Sequence, residues 1–264
     1  LEKDLCIGTK KVTIKKKLFD AIQEEAKKYF KDNVNYWYSY KKFLLILIIF
    51  MTKKDKILVI VPARGGSKRL PNKNIRTLLG KPLINYSIES AKKSKRIDHI
   101  IVSTDSKKIA DISRSSGVEV LFRPESVSND ESKTIDVLNF HYEFIKNYDL
   151  IVVLQPTSPL RSKDLIDDCI IEFNKGRYSN LATGYYCKHK EFGTHNNIRR
   201  QDVKGFFYDD GSVYILTPSL IKNNQWSGDR IKRMINKKEF SFEIDDEIDF
   251  LILEKLIKYY EKSL

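Results

Sequence analysis

From Lys56 onward, short apolar runs alternate with amphipathic helical stretches. A mostly parallel sheet with helices on both faces buries such a pattern, so an α/β fold is expected. The strands are read at ILVIVPA (57 to 63), HIIVSTD (99 to 105), VEVLF (118 to 122), LIVVLQP (150 to 156) and SVYIL (212 to 216). Between them, Pro82 to Ser94, Lys107 to Ser115, Thr134 to Asn147 and Leu165 to Asn174 carry apolar residues at helical spacing, with Ser162 read as the N-cap of the last. Ligands of such sheets bind outside the carboxyl ends of the strands. ARGGSKR, STDS and QPTSPLR each follow an apolar strand, so three strand ends point to one crevice.

The chain has 264 residues, 41% of them hydrophobic, enough for one substantial core and an appendage. Residues 1 to 50 differ in character, running from a Lys-rich amphipathic stretch into YWYSYKKFLLILIIF, and are read as an N-terminal extension to a catalytic domain over 51 to 264. The apolar run Phe43 to Phe50 is far short of the roughly 20 residues that span a bilayer, and no small-residue cleavage site follows it. The expectation is a cytoplasmic protein without stable membrane insertion. An interfacial anchor ranks below two plainer readings of this segment: packing against the domain or a dimer partner, or an upstream extension of a reading frame that begins at Met51.

The formal charge of +13 is spread along the chain without a nucleic-acid motif. It reads as a lysine-rich composition with a bound polyanion such as a nucleotide contributing, and no nucleic-acid partner is expected. Cys6, Cys169 and Cys187 lack metal-ligand spacing, and the four histidines form no ligand pair, so neither a disulfide framework nor a zinc site is indicated.

The strongest local signal is VPARGGSKRLPNKN, residues 61 to 74. A buried strand ends in Gly65 and Gly66, which let the backbone approach a ligand and turn N–H groups toward it. Arg64 and Lys68 bring positive charge to the same place, with Ser67 and Lys73 alongside. The spacing is neither GxxxxGK[ST] nor GxGxxG, so the loop belongs to another nucleotide-binding class.

The whole string resembles the opening signature of the CMP-sialic acid synthetase family, the acylneuraminate cytidylyltransferases, approximately (I/V)xARxxSKxxPxKN. RIDHIIVSTDS, GVEVLFRPESVSND, VVLQPTSPLR, DGSVYI and EIDDEIDF follow in the family's order and cover almost everything from Lys56 to the end. The resemblance implies a Rossmann-like nucleotidyltransferase fold, CTP and a nonulosonic acid as substrates, Mg²⁺ as cofactor, pyrophosphate as product and a homodimer. It further implies that Arg64 and Lys68 hold the triphosphate, that Lys73 and Asn74 complete the nucleotide loop, and that Arg123 and Ser128 contact cytidine. Gln155 matches a family glutamine at the sugar site, with Thr157 and Ser158 adding hydroxyls beside it. Asp105 is a weaker candidate on the nucleotide side. Residues 178 to 210 lack a steady period and are expected to form a sugar-side lobe or dimerisation insert.

The acidic group Glu243, Asp245, Asp246 and Asp249 precedes a long helix and in part favours its N-terminus. Two carboxylates two residues apart at a strand end also point the same way and can share a hard cation. The family carries Asp-x-Asp there, whereas this chain has Glu243-Ile244-Asp245, so Asp245 is the firmer metal candidate and Glu243 the second. Two more departures lie in YDDGSVYI, where family members often have Arg-Pro-Asn, and in CKHKEFGTH, where a His-Pro-rich stretch is missing. Lys188, Lys190, Arg199 and Arg200 are then the cations available to a sugar carboxylate.

In the expected reaction the anomeric C2 hydroxyl attacks the α-phosphorus of CTP in line, while the protein positions the reactants and neutralises charge. Two alternatives stand beside it. One is a cytidylyltransferase for the eight-carbon acid KDO, although LPNKNIRTLLGKPL fits the sialic acid branch better. The other is an inactive nucleotide- or sugar-binding homologue.

Overall fold

The computed structural model describes the backbone of residues 2–7 and 10–15, and residues 55–194 and 196–260. The chain divides into two compact units, Leu1–Asp55 and Lys56–Leu264. In the first, Glu2–Ile7 (β1) pairs antiparallel with Lys10–Lys15 (β2), Glu2 opposite Lys15. The readings of the amphipathic stretch and of Phe43 to Phe50 fall outside the described residues.

The second unit is built on a seven-stranded sheet in the order β11-β9-β10-β8-β3-β6-β7. The strands are Ile57–Pro62 (β3), His99–Thr104 (β6), Glu119–Phe122 (β7), Leu150–Val153 (β8), Asn180–Cys187 (β9), Phe206–Leu216 (β10) and Ile231–Ile235 (β11). A two-stranded ribbon, Thr77–Leu78 (β4) with Lys81–Pro82 (β5), lies outside it. Parallel pairing joins β3 to β6 and β8, β6 to β7, and β9 to β11, whereas β10 runs antiparallel to both its neighbours. The Rossmann-like reading therefore holds.

The central strand explains the two-sided core. Side chains alternate across a strand, and Ile57, Val59 and Val61 enter one apolar cluster while Leu58 and Ile60 enter the other. The first cluster is covered by Leu83–Lys93 (α1), Lys107–Ser115 (α2) and Leu165–Asn174 (α5), through residues such as Ile84, Ile88, Ile109 and Ile170. The second is covered by Thr134–Phe140 (α3), Tyr142–Ile145 (α4) and Pro218–Lys222 (α6), through Ile135, Leu138, Ile145 and Ile221. A third cluster seats Glu247–Tyr260 (α7) through Phe250, Leu253 and Ile257 against Leu70, Leu78, Leu83 and Leu160.

Four local expectations are corrected. The single helix expected over 134 to 147 breaks at His141, which turns inward to meet the Ser103 hydroxyl at 2.8 Å. Ser162 is not the N-cap of α5; Asp164 occupies that position without a side-chain cap bond. The last expected strand begins earlier, at Phe206, and pairs with β9, so Asn180–Cys187 and residues 206 to 210 of the irregular stretch are strands of the main sheet. Residues 241 to 244 form no strand, which removes the strand-end geometry on which the shared direction of Glu243 and Asp245 was argued.

The chain leaves β3 toward β6 and β7 on one side, then returns to β8 and β10 on the other. The strand order thus reverses beside β3, and a crevice opens there at the carboxyl ends.

Candidate active site

A cleft of about 240 Å³ lies at this reversal. Its walls include Arg64, Gly66, Ser67, Lys73 and Asn74 from the loop after β3, and Gln155, Pro156 and Thr157 from the turn after β8. Arg123, Ser128 and Asp130 line it from the segment after β7. A neighbouring depression of about 290 Å³ shares Arg64, Ser67, Lys73 and Asp130 and adds Lys68, Arg69 and Asp245.

The glycine-rich loop is held from behind. Ala63 N–H donates to Ser103 O at 2.9 Å, and Gly65 N–H donates to Asp105 Oδ1 at 2.8 Å. A Cβ on Gly65 would stand 2.8 Å from Ser106 Cβ, so the close approach requires glycine there, whereas the space at Gly66 is open. Asp105 is therefore a backbone anchor and is not among the residues lining the cleft. Asn74 Nδ2 donates to Arg64 O at 2.9 Å and ties the far end of the loop to its start. Lys73 Nζ donates to Ile244 O at 2.9 Å and reaches Asp245 at 3.4 Å, which joins the loop to the acidic segment before α7.

Two cations of the loop converge on one carboxylate. Asp130 lies 2.8 Å from Arg64 and 2.5 Å from Lys68, and these contacts, Lys68 first, hold its carboxyl below the usual range. Deeper in the cleft Arg123 is buried, and burial lowers its pKa. Its Nε has no hydrogen-bond partner among the described residues. Burying an unsatisfied charged donor is costly, so Arg123 carries an unmet hydrogen-bonding demand at the wall of the cleft. Ser128 Oγ donates to Pro124 O at 2.9 Å, shaping the same wall. His141 sits behind, pushed down to about 4 by burial and by the Arg123 charge, and is neutral at ordinary pH.

The turn after β8 rests on Arg161. This guanidinium is only 3% exposed and donates to Gln155 O at 2.7 Å, Ser87 Oγ at 2.9 Å and Ser212 O at 2.8 Å. Ser87 Oγ also donates to Gln155 O, at 3.1 Å. The Gln155 amide is thereby presented to the cleft, where Nε2 lies 3.4 Å from Thr134 Oγ1. Thr157 lines the cleft, but Ser158 is fully buried and donates to Asp210 O at 3.1 Å. Its hydroxyl is committed to the scaffold.

The acidic corner is ordered by Asp210, which is fully buried. Its carboxylate accepts from Thr183 Oγ1 at 2.6 Å, Ser212 N–H at 3.0 Å, Asn236 Nδ2 at 2.8 Å and Ser241 Oγ at 2.9 Å. Gly211 has φ of 64°, and a Cβ there would meet Glu243 Oε1 at 2.0 Å, so the turn admits Glu243 only because residue 211 is glycine. Burial, followed by the charges of Asp209, Asp245 and Asp210, pushes Glu243 up to about 7. Asp245 is exposed and faces Lys73. Among the described residues no group of three or more ligating side chains surrounds one point.

Sequence reasoning passed over Asp130, Arg161, Asp210 and Ser87. Asp130, Arg161 and Asp210 stand inside the quoted motifs SVSND, QPTSPLR and DGSVYI, but nothing in the local sequence of Asp210 or Ser87 distinguishes a buried hub from an ordinary polar residue.

A family model described as cytidylyltransferase matches residues 58–219, a span that holds both the glycine-rich loop and the QPTSPLR turn. The chain belongs to the cytidylyltransferase family. It is a nucleotidyltransferase. Among its relatives, the CMP-N,N'-diacetyllegionaminic acid synthase of Legionella pneumophila is 32% identical across 79% of this chain and 99% of the relative. The N-acylneuraminate cytidylyltransferase of Escherichia coli is 28% identical across 75% of this chain and 51% of its own length. A solved structure of CMP:2-keto-3-deoxy-manno-octonic acid synthetase complexed with CTP superposes with a TM-score of 0.61 at 15% identity, covering 77% of this chain and 99% of that one. Among the described residues of the cytidylyltransferase, no helix is long and apolar enough to cross a membrane.

Proposed function

We propose that this cytidylyltransferase joins CMP from CTP to the anomeric C2 hydroxyl of a nine-carbon nonulosonic acid of the sialic acid type and releases pyrophosphate. The observation that carries this reading is that the glycine-rich cationic loop and the Gln155 turn line one cleft at the strand reversal. Relatives named for legionaminic and neuraminic acids agree with it.

In this reading Arg64 and Lys68 leave Asp130 and take the triphosphate, while Gly66, Ser67, Lys73 and Asn74 surround it. Charge then grows on the phosphoryl and leaving oxygens against fixed cations, which is where electrostatic preorganisation acts most strongly. Arg123 and Ser128, which line the same wall, receive the nucleoside. Gln155 and Thr157 face the sugar acid, and Ser158 holds the turn beneath them.

Mg²⁺ fits the acidic corner as a proposed cofactor. Glu243 is raised first by burial and then by neighbouring carboxylates, and a divalent cation would relieve the repulsion between them. Glu243 and Asp245 would supply two carboxylates, with phosphate oxygens completing the shell. The bound ion would supply neutralisation of the triphosphate.

We further assign the catalytic domain to 51–264, as a homodimer in the cytoplasm. The exposed aromatics Phe206 and Tyr208, on one face of the β9–β10 hairpin, suit burial against a second copy. Light scattering tests the dimer, and a chain beginning at Met51 tests the domain: full activity is expected, and folding without activity would refute the boundary.

The substrate is tested by pyrophosphate release from CTP and Mg²⁺ with sialic, legionaminic and pseudaminic acids and KDO. Turnover with a nonulosonic acid is expected. Turnover with KDO alone would overturn the nine-carbon assignment.

A further inference from the structure

A second cavity, of about 280 Å³, opens between α1, the β4–β5 ribbon, residues 159 to 163 and α7. It is lined by four cationic side chains, Lys81, Lys93, Lys163 and Arg161, against one carboxylate, Glu89. That carboxylate is already engaged, since Lys81 Nζ lies 2.5 Å from it. The same ammonium stands 5.0 Å from the centre of the Tyr86 ring, so the ring and the charge form one wall. The Tyr86 hydroxyl donates to Leu78 O at 2.8 Å and is thereby fixed to the ribbon. Leu79, Pro159 and Ile257 provide apolar surface beside it. Lys163 is exposed and makes no hydrogen bond or ion pair among the described residues.

Arg161 makes this cavity more than a groove between surface lysines. Its buried guanidinium bonds only to uncharged oxygens, using N–H groups on all three nitrogens. A guanidinium carries five N–H donors, so two remain. Burial pushes its pKa down to about 9, opposed by Asp210 through space without contact. A cation held this way is stabilised by an anion brought into the adjoining cavity.

We propose that this cavity is a second ligand site, selective for a phosphate group carried on a small apolar body. The excess of positive charge matches a dianion, and the Tyr86, Pro159 and Ile257 walls match an attached ring or short chain. The cavity exceeds what a phosphate alone fills. Arg161 belongs both to this wall and to the support of Gln155, so the occupied cavity adjoins the cleft through one residue. The site is independent of the sugar assignment above, and its test does not depend on turnover.

Phenyl phosphate is the probe, titrated calorimetrically into the full chain with CTP saturating the cleft, and followed by amide chemical shifts. Saturable binding is expected to persist under CTP, to shift amides around Leu79, Ser90 and Lys163, and to weaken at least tenfold in Lys163→Glu. Lys163→Ala, a milder change at an exposed position, should weaken it in the same direction. Inorganic phosphate should bind at the same place more weakly, and neutral phenol should not bind there. Loss of binding under saturating CTP, affinity in both Lys163 variants unchanged from the original chain, equal binding of phenol, or inorganic phosphate binding as tightly as the ester would each overturn the proposal.

Discussion

Asp130 stands 2.5 Å from Lys68 Nζ, so a carboxylate occupies the cation proposed above to hold the triphosphate. The same carboxylate reaches Arg64 at 2.8 Å, so both cations of the loop face one acid from the opposite wall of the cleft. In the proposed binding mode CTP exchanges this partner for phosphate oxygens. Asp130→Asn is expected to tighten CTP binding by a few-fold at low ionic strength, because the competing charge is gone. Exposed pairs are screened by salt, so the gain should fade in high salt. Calorimetric titration at two salt concentrations checks this; weaker CTP binding in the variant would show that Asp130 assists the ligand.

Lys68 is 83% exposed and packs no core. Lys68→Ala should leave the melting temperature unchanged while lowering kcat by about a hundredfold, the scale of losing one preorganised electrostatic contact. Paired melting and steady-state assays read both effects. An active variant would remove Lys68 from the phosphate site.

Arg161 cannot be replaced by lysine, because its three divergent bonds need a planar fork. Arg161→Lys should cost about 2 kcal/mol or more in urea unfolding, since buried acceptors lose their donors. In the fraction that folds, KM for the sugar acid should rise while Kd for CTP stays near its original value. Ser87→Ala removes one of these contacts at lower cost and should show the same split in milder form.

Glu243 titrates upward in the folded protein, from 4.5 to about 7. The folded state then holds a proton that the unfolded state has released between these values. The stability from this group is present below 4.5 and is lost as pH rises through 7. Melting of the metal-free protein should therefore show a component falling across this window, and Glu243→Gln should remove it. Added Mg²⁺ should stabilise the protein more at pH 8 than at pH 5, because proton and cation compete for the same oxygens.

His141 acts in the opposite sense. Its pKa falls from 6.5 to about 4 on folding, so the unfolded state binds the proton first. Its contribution is complete above 6.5 and is lost as pH falls toward 4. His141→Gln should flatten the acid limb of the melting curve without altering the limb assigned to Glu243. Separate effects of the two variants are the check.

Much of this was legible because short apolar runs leave few choices. Ile57 to Pro62 is buried on both faces, and such a strand belongs in the middle of a parallel sheet. The loop from Arg64 to Asn74 announced itself by glycine and charge together. Residues 206 to 211 were harder, since Phe206 to Asp210 mix aromatics and carboxylates without a steady period, and their strand character comes from pairing with β9. The segment before Glu243 misled in the other direction. Its alternation reads as a strand, yet Phe240 and Ile244 pack into the α7 cluster, and the Ile244 N–H donates to Thr157 O rather than to a sheet. Roles set by tertiary contact were the least visible: Asp210 draws donors from four other residues that a linear reading cannot bring together.

The most direct test of the account is product analysis by mass spectrometry after incubating the full chain with CTP, Mg²⁺ and a nonulosonic acid. The account expects a CMP-nonulosonate and an equal amount of pyrophosphate, both formed about a hundredfold more slowly by Lys68→Ala. CTP bound in the cleft with no CMP-sugar formed from any nonulosonic acid would contradict it.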